Sequence, residues 1–267
     1  MRGLTDYHTH NALCRHAEGQ PVDYAKEAEA LGLAEFGCSD HSPMKENGFD
    51  DWRMKWSEFP RYVAEVEEAR SAVSIPVRLG LEVDYLEGGE AWIETLSQAA
   101  EFDFLIGAVH YIAPGWAVDD PQWIGKFQDA SSVDEIWETY WRVYVKCVSS
   151  GYFDILAHPD LPKKFGHRPR GDLRRFYEPA IEAAVAADVV FEVNTAGWRK
   201  DCAEQYPSRE FLELMQAAGL PVLINSDAHD PAEVGAGFEE ALTLVRAVGF
   251  TELARFEKRE RKHVPLP

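Results

Sequence analysis

The chain has 267 residues, long enough for one large α/β core, and its 46% hydrophobic and 27% charged residues exclude a disordered or fibrous protein. With 27 Lys and Arg against 46 Asp and Glu, the formal net charge is −19; such a surface repels phosphate backbones, so no nucleic-acid partner is expected. No apolar run approaches the roughly 18–20 residues of a membrane span. The start, Met1 to Asp6, lacks the apolar stretch of a secretory signal. Cys14, Cys38, Cys147 and Cys202 form neither a C-x-x-C pair nor a disulfide framework. A cytoplasmic chain with no membrane association is the expectation.

Short apolar runs alternate with longer amphipathic stretches along the chain. Gly3 to His8 reads as a strand, and a helix opens near Pro21 with Ala25, Ala28, Leu31 and Leu33 on one face. Ala34 to Ser39 is the second strand, followed by a polar loop and a helix over Glu58 to Val73. Pro76 to Val83 leads to a helix over Glu90 to Ala100, and Phe104 to Val109 to one over Val133 to Val148. Phe153 to Ala157 precedes a helix over Leu173 to Ala187, and Val189 to Val193 one over Arg209 to Ala218. Pro221 to Asn225 precedes the last helix, Ala232 to Val248; the basic run Lys258 to Lys262 reads as a solvated helix face. Seven strand-then-helix units in one domain, 1–267, imply parallel strands, because parallel pairing needs crossover connections. An open doubly wound sheet and a closed TIM-like barrel both satisfy the pattern. The long inserts Ser42 to Trp56, Ile112 to Asp129 and Leu161 to Arg170 all follow strands, where a parallel barrel builds its active face.

The placement of polar residues favours the barrel. The strands end in His8-Thr9-His10 (with His16 just beyond), Asp40-His41, Glu82, His110, His158, Glu192 with Asn194, and Asp227-Ala228-His229. Seven of the nine histidines fall here; only His167 and His263 lie elsewhere. Parallel strands bring these ends to one rim. Residues two apart on an extended segment point to the same side, which pairs His8 with His10 and Asp227 with His229. Imidazole and carboxylate are ligands for zinc, iron and manganese, and so many exceed the needs of one tetrahedral ion. Two or three bridged ions fit, an arrangement suited to phosphate-ester hydrolysis. A lone strand-end histidine is more often structural than a ligand, but packing does not explain so many at one end. Cys14 reads as a buried neutral thiol, Glu192 equally as a metal ligand or a loop anchor, and the tryptophans as core or loop anchors, with Trp198 the one near a strand-end loop.

The series His8-Thr9-His10, His16, Ser39-Asp40-His41, Gly80-Leu81-Glu82, Gly107-Ala108-Val109-His110, Ala157-His158-Pro159-Asp160 and Ser226-Asp227-Ala228-His229 resembles the motif series of the polymerase and histidinol phosphatase (PHP) superfamily. The run Glu192 to Lys200, followed by Tyr206-Pro207-Ser208, is similar to the histidinol-phosphate phosphatases within it. The resemblance implies an α/β fold, a distorted (βα)7 TIM-like barrel with its metal site at the C-terminal ends of the strands. It further implies three divalent ions, zinc, iron or manganese. His8, His10 and Asp227 would hold the first, Glu82 would bridge it to a second held by His110 and His158, and His16, His41 and His229 would hold the third. The implied activity is hydrolysis of L-histidinol phosphate, a small-molecule phosphate monoester, through a metal-bridging hydroxide, in histidine biosynthesis. Asp227, Glu82 and Arg199 would serve catalysis, the first two besides binding metal. Cationic side chains on βα loops should grip the remaining phosphate oxygens: Arg199 first, for its planar fork, then Lys163, then Arg15 and Arg53. Alternatives are a phosphoesterase for another small phosphate or nucleotide, and a metal-binding module without catalysis.

Overall fold

A computed structural model describes residues 1–267. Its parallel strands are β1 (Thr5–Asp6), β2 (Glu35–Cys38), β3 (Val77–Leu79), β4 (Glu82–Asp84), β5 (Ile106–Ala108), β8 (Ile155–Leu156), β9 (Val190–Asn194) and β10 (Val222–Asn225). The helices are α1 (Pro21–Ala30), α2 (Phe59–Ala72), α3 (Glu90–Ser97), α4 (Ala130–Ser149), α5 (Arg174–Ala187), α6 (Arg209–Ala217) and α7 (Phe238–Val248). A hairpin of β6 (Tyr111–Ala113) and β7 (Trp116–Ala117) follows β5, and a second, β11 (Glu252–Glu257) with β12 (Glu260–Pro265), ends the chain. No helix is long and apolar enough to cross a membrane.

All seven expected strand segments are present, but their pairing is divided between two sheets, β1-β2-β3 and β10-β9-β8-β5-β4. The third segment is where one sheet passes to the other: β3 pairs with β2 and β4 with β5, with Gly80 and Leu81 between them. A Cβ at Gly80 would lie 2.2 Å from the Phe104 ring, so only glycine lets that ring cover the break. A single parallel bridge, His41 to Glu82, continues the pairing past it. At the other seam Thr9 bridges Ala228, and side chains replace the missing ladder: Tyr7 N donates to Asn225 Oδ1 at 2.9 Å and Ser226 N to Asp6 Oδ1 at 3.0 Å.

Inward side chains of the strands, among them Tyr7, Phe104, Ile106, Ile155, Val190 and Leu223, form one buried cluster, and a larger core lies between strands and helices. The basic run Lys258 to Lys262 is not helical. Lys258 and Arg259, with φ of 52° and 66°, are the two-residue turn between β11 and β12, the geometry that suits a tight hairpin. This hairpin closes the N-terminal ends of the strands. Ala254 and Phe256 join the inner cluster, Lys258 N donates to Asp103, and Arg255 donates to Gly3 O at 2.7 Å. The last helix also starts later than expected, at Phe238, because Gly235 and Gly237 adopt left-handed backbone before it.

Because the hairpin sits at the end away from the polar rim, it should govern stability and not chemistry. Phe256→Ala removes a side chain that is 3% exposed and should cost about 3–5 kcal/mol in denaturant unfolding. Turnover measured well below the melting temperature should stay near wild type; a matching loss of turnover would contradict this division.

Candidate metal centre

The C-terminal strand ends do converge. His8, His10, His41, Glu82, His110 and His158 are all buried, and they gather around one carboxylate. Glu82 Oε1 lies 3.1 Å from His158 Nε2, 3.3 Å from His8 Nε2 and 3.9 Å from His110 Nε2. Glu82 Oε2 lies 2.7 Å from His41 Nδ1 and 3.7 Å from His10 Nε2. The His41 contact is close but not aligned as a hydrogen bond, and both atoms lack any hydrogen-bond partner. Asp227 Oδ1 lies 3.1 Å from His10 Nε2 and 3.7 Å from His8 Nε2. His158 and Asp227 both have positive φ, 24° and 52°, a conformation that costs non-glycine residues energy and that surrounding contacts must hold.

Four imidazoles have one ring nitrogen anchored from behind. His8 Nδ1 meets Glu192 Oε2 at 3.0 Å, and His110 Nδ1 meets Asp84 Oδ1 at 2.8 Å. His16 Nδ1 and His229 Nδ1 each meet a backbone carbonyl at 3.1 Å, those of Cys14 and Asp227. Metal-binding histidines are oriented in this way, with one N–H donated to an oxygen and the other nitrogen free to ligate. The free Nε2 atoms of His16 and His229 then face each other at 3.0 Å. Burial and the charge of His10 keep both rings below the ordinary histidine range, so neutral lone pairs oppose one another. A divalent cation between them relieves that repulsion; ligand nitrogens around a tetrahedral zinc with ~2.0–2.1 Å bonds sit about 3.3–3.4 Å apart, so the two rings need to part by only about 0.3–0.4 Å to share one ion.

The electrostatics agree. Burial would raise the Glu82 and Asp227 carboxyls, but the surrounding histidines hold both well below the usual range. Burial would lower His10 and His110, yet acidic partners outweigh it and keep each at about 9: Asp227 and Asp40 for His10, Asp84 for His110. Unpartnered buried atoms include His8 Nε2, His10 Nδ1, Glu82 Oε2 and His158 Nδ1. Buried polar atoms without partners are costly, and here they cluster in the donor set. Three groups have donor atoms within 4.8 Å of one another: His8, His10 and Asp227; His8, Glu82 and His158; His10, His41 and His229.

The centre opens into a cavity of about 460 Å³, lined beyond the donors by Trp52, Asp119, Asp120, Lys164, Lys200, Tyr206 and Glu233 among others. None of the four cations expected at the phosphate is in that lining. Lys163 is fully buried and donates to Asp160, Glu204 and Gln205 O at 2.7–3.0 Å, so it ties two loops together behind the wall. Arg53 is 5% exposed and bound to Asp50 and Asp84. Arg15 pairs with Glu58 and faces a different depression, beside Phe49 and Lys55. Arg199 lies 3.2 Å from Glu233 and donates to Ser226 O at 3.0 Å, so an acidic neighbour holds it beside the rim. Lys164 and Lys200 supply the positive charge in the cavity. Lys164 Nζ donates to Asp119 O and Oδ2 at 2.8 and 2.9 Å, leaving one N–H uncommitted.

Several anchors were within reach of the sequence. Asp84 lies two residues from Glu82 on one strand, so their shared side was legible. Glu192 takes the anchor role: it also accepts from His158 N at 2.8 Å and from Asn194 Nδ2 and Asn225 Nδ2, both at 2.8 Å. Which of Lys163 and Lys164 faces the cavity had no sequence signal, since both lie in one short 3-10 turn. Cys14 is buried, and burial pushes its thiol up, as expected of a neutral thiol. Trp198 packs against Gly237 away from the cavity.

Comparison with known proteins bears on the whole chain. The PHP domain family matches residues 6–196. A probable histidinol-phosphatase of Deinococcus radiodurans is 36% identical over 251 residues, covering 93% of this chain and 95% of that protein. The histidinol-phosphatase of Bacillus subtilis is 26% identical, covering 89% and 97%. A crystal structure of the Lactococcus lactis histidinol phosphate phosphatase, complexed with zinc, L-histidinol and phosphate, superposes with a TM-score of 0.81 at 22% identity, covering 98% and 100%. Motif series, rim geometry and relatives converge on one conclusion: the chain belongs to the PHP domain family.

Proposed function

We propose that this chain is a metal-dependent phosphatase that hydrolyses L-histidinol phosphate to L-histidinol and phosphate, using three divalent ions. The opposed Nε2 atoms of His16 and His229, both anchored from behind, carry the metal reading. The named relatives, matched along nearly their full length, support the substrate. His8, His10 and Asp227 would hold one ion, Glu82, His110 and His158 a second, and His16, His41 and His229 a third, with Glu82 shared between the first two. Bound there, divalent ions supply Lewis acidity and a nucleophile from water at neutral pH.

The remaining work belongs to the protein. Glu192 and Asp84 fix the tautomers and angles of His8 and His110. Asp227, on the cavity wall, presents Oδ1 toward His8 and His10 as the oxygen that would hold the first ion, while Asn194 Nδ2 fixes its Oδ2 at 3.0 Å. Lys164 and Lys200 take the phosphate oxygens that the ions leave uncovered, Lys164 being aimed by Asp119. Arg199 acts from behind by holding Glu233, whose Oε2 accepts from His229 N at 3.1 Å. Zinc is the ion in the Lactococcus lactis structure; iron and manganese favour similar donors.

Three outcomes test this. Protein purified without chelator should carry about three divalent ions per chain by elemental analysis; active protein holding one or none would overturn the trinuclear assignment. The kcat/KM for histidinol phosphate should exceed that for p-nitrophenyl phosphate and nucleotides by well over tenfold, each factor of ten being about 1.4 kcal/mol of transition-state binding. Preference for nucleotides would reject the substrate. Lys164→Met should lower kcat/KM by at least about tenfold with metal content unchanged, and turnover near wild type would remove that lysine from the phosphate site.

A further inference from the structure

Arg53 is one of three arginines that the sequence places near substrate and that the cavity lining does not include. It lies in the insert after β2 and uses three of its nitrogens. Nε donates to both oxygens of Asp50 at 2.9 and 2.8 Å, Nη1 to Ser42 O at 3.0 Å, and Nη2 to Asp84 Oδ2 at 2.8 Å. The other oxygen of Asp84 receives His110 Nδ1 at 2.8 Å and His110 N at 3.4 Å. One fork therefore reaches a metal-centre imidazole through a single carboxylate. The same guanidinium lies 4.2 Å from the centre of the Trp52 ring. Trp52 stacks on Tyr111, whose hydroxyl donates to Asp50 at 2.6 Å, and meets the His41 and His110 rings near edge-on at 4.9 and 5.5 Å.

We propose that Arg53 is a positioning residue for the metal centre: it fixes Asp84, and so the His110 ring, and locks the Trp52 wall of the cavity in the same contact set. The argument is geometric. An imidazole held only at Nδ1 by a free carboxylate keeps the freedom of that carboxylate to rotate. Arg53 removes it by binding the second oxygen, and Asp50 and Ser42 O remove the freedom of Arg53 in turn. Lysine preserves the charge but cannot serve three acceptors from a planar fork. Loss of such an outer partner lowers metal affinity by about 10–100-fold.

The inference rests on His110 as a ligand, so the experiment includes that residue. Arg53→Met, Arg53→Lys, Asp84→Asn and His110→Ala are compared for zinc per chain, zinc affinity against a competing chelator, and kcat and KM with and without added zinc. Asp84→Asn keeps the shape of the side chain and carries the test if Arg53→Met does not fold. The expected result is that the Arg53 and Asp84 variants weaken one ion by about 10–100-fold and that His110→Ala, which removes the ligand itself, weakens it at least as much. In the Arg53 and Asp84 variants excess zinc should restore kcat at nearly unchanged KM. If His110→Ala leaves zinc content and affinity intact, the ligand assignment fails. If His110→Ala loosens the ion but Arg53→Met and Asp84→Asn do not, the positioning role is overturned. A raised KM in Arg53→Met with unaltered zinc affinity would instead make Arg53 a substrate contact and also overturn it.

Discussion

One buried carboxylate organises the rim. Glu82 is 1% exposed and has nitrogens of five imidazoles, from four strand ends, within 3.9 Å. Removing a carboxylate from water is costly unless it is paired. Here the partners are rings whose own free nitrogens also need a cation. Neither set satisfies the other completely, which is why both Glu82 Oε2 and His41 Nδ1 stay unbonded at 2.7 Å. That shared deficit is what divalent ions would resolve, and it explains why the anchors behind the rings are carboxylates and carbonyls, which leave the inward nitrogens as acceptors.

The backbone is shaped to the same end. The third strand segment changes partners at Gly80 and Leu81, and Glu82 is the first residue of the new pairing. Phe104 fills the room left by the missing Cβ of Gly80, so the packing of the inner cluster and the placement of the central carboxylate are one feature. At the opposite seam Asp6 and Asn225 replace ladder hydrogen bonds with side chains. That substitution lets β1 and β10 end with Asp227 beside His10, 3.1 Å apart.

The donors were readable because chemistry repeated at a fixed structural position: a strand, then His, Asp or Glu. The seven segments and their helices were readable for the same reason, since each has its own period. What the sequence hid were relations between distant loops. Arg53 and Arg199 carry the charge and the loop position expected of phosphate contacts, yet acidic partners from other segments claim them: Asp50 and Asp84 for one, Glu233 for the other. In a chain with 46 acidic residues, a cation on a loop meets a carboxylate before it meets a substrate. The terminal hairpin was hidden differently. Its turn is Lys258 and Arg259, with no Asn-Gly or Asp-Gly signal, so a charged run read as a helix face.

The acidity bears on how an anion enters. A net charge of −19 opposes a phosphate dianion at long range, and two lysines in the cavity wall are little against it. Lys164 moreover has two of its three N–H groups committed to Asp119. Charge held by the protein alone therefore does not make this cavity receptive to phosphate. Ions at the rim would change the local sign, because they act within a few ångströms where the remote surface is screened by salt over about 8–10 Å. The wall also carries three carboxylates, of which Asp119 is paired with Lys164 and Glu233 with Arg199, leaving Asp120 without a cationic partner. With ions at its floor, a cavity that keeps the Asp120 carboxylate on its side would complement a molecule that is anionic at one end and cationic at the other, as an aminoalkyl phosphate is.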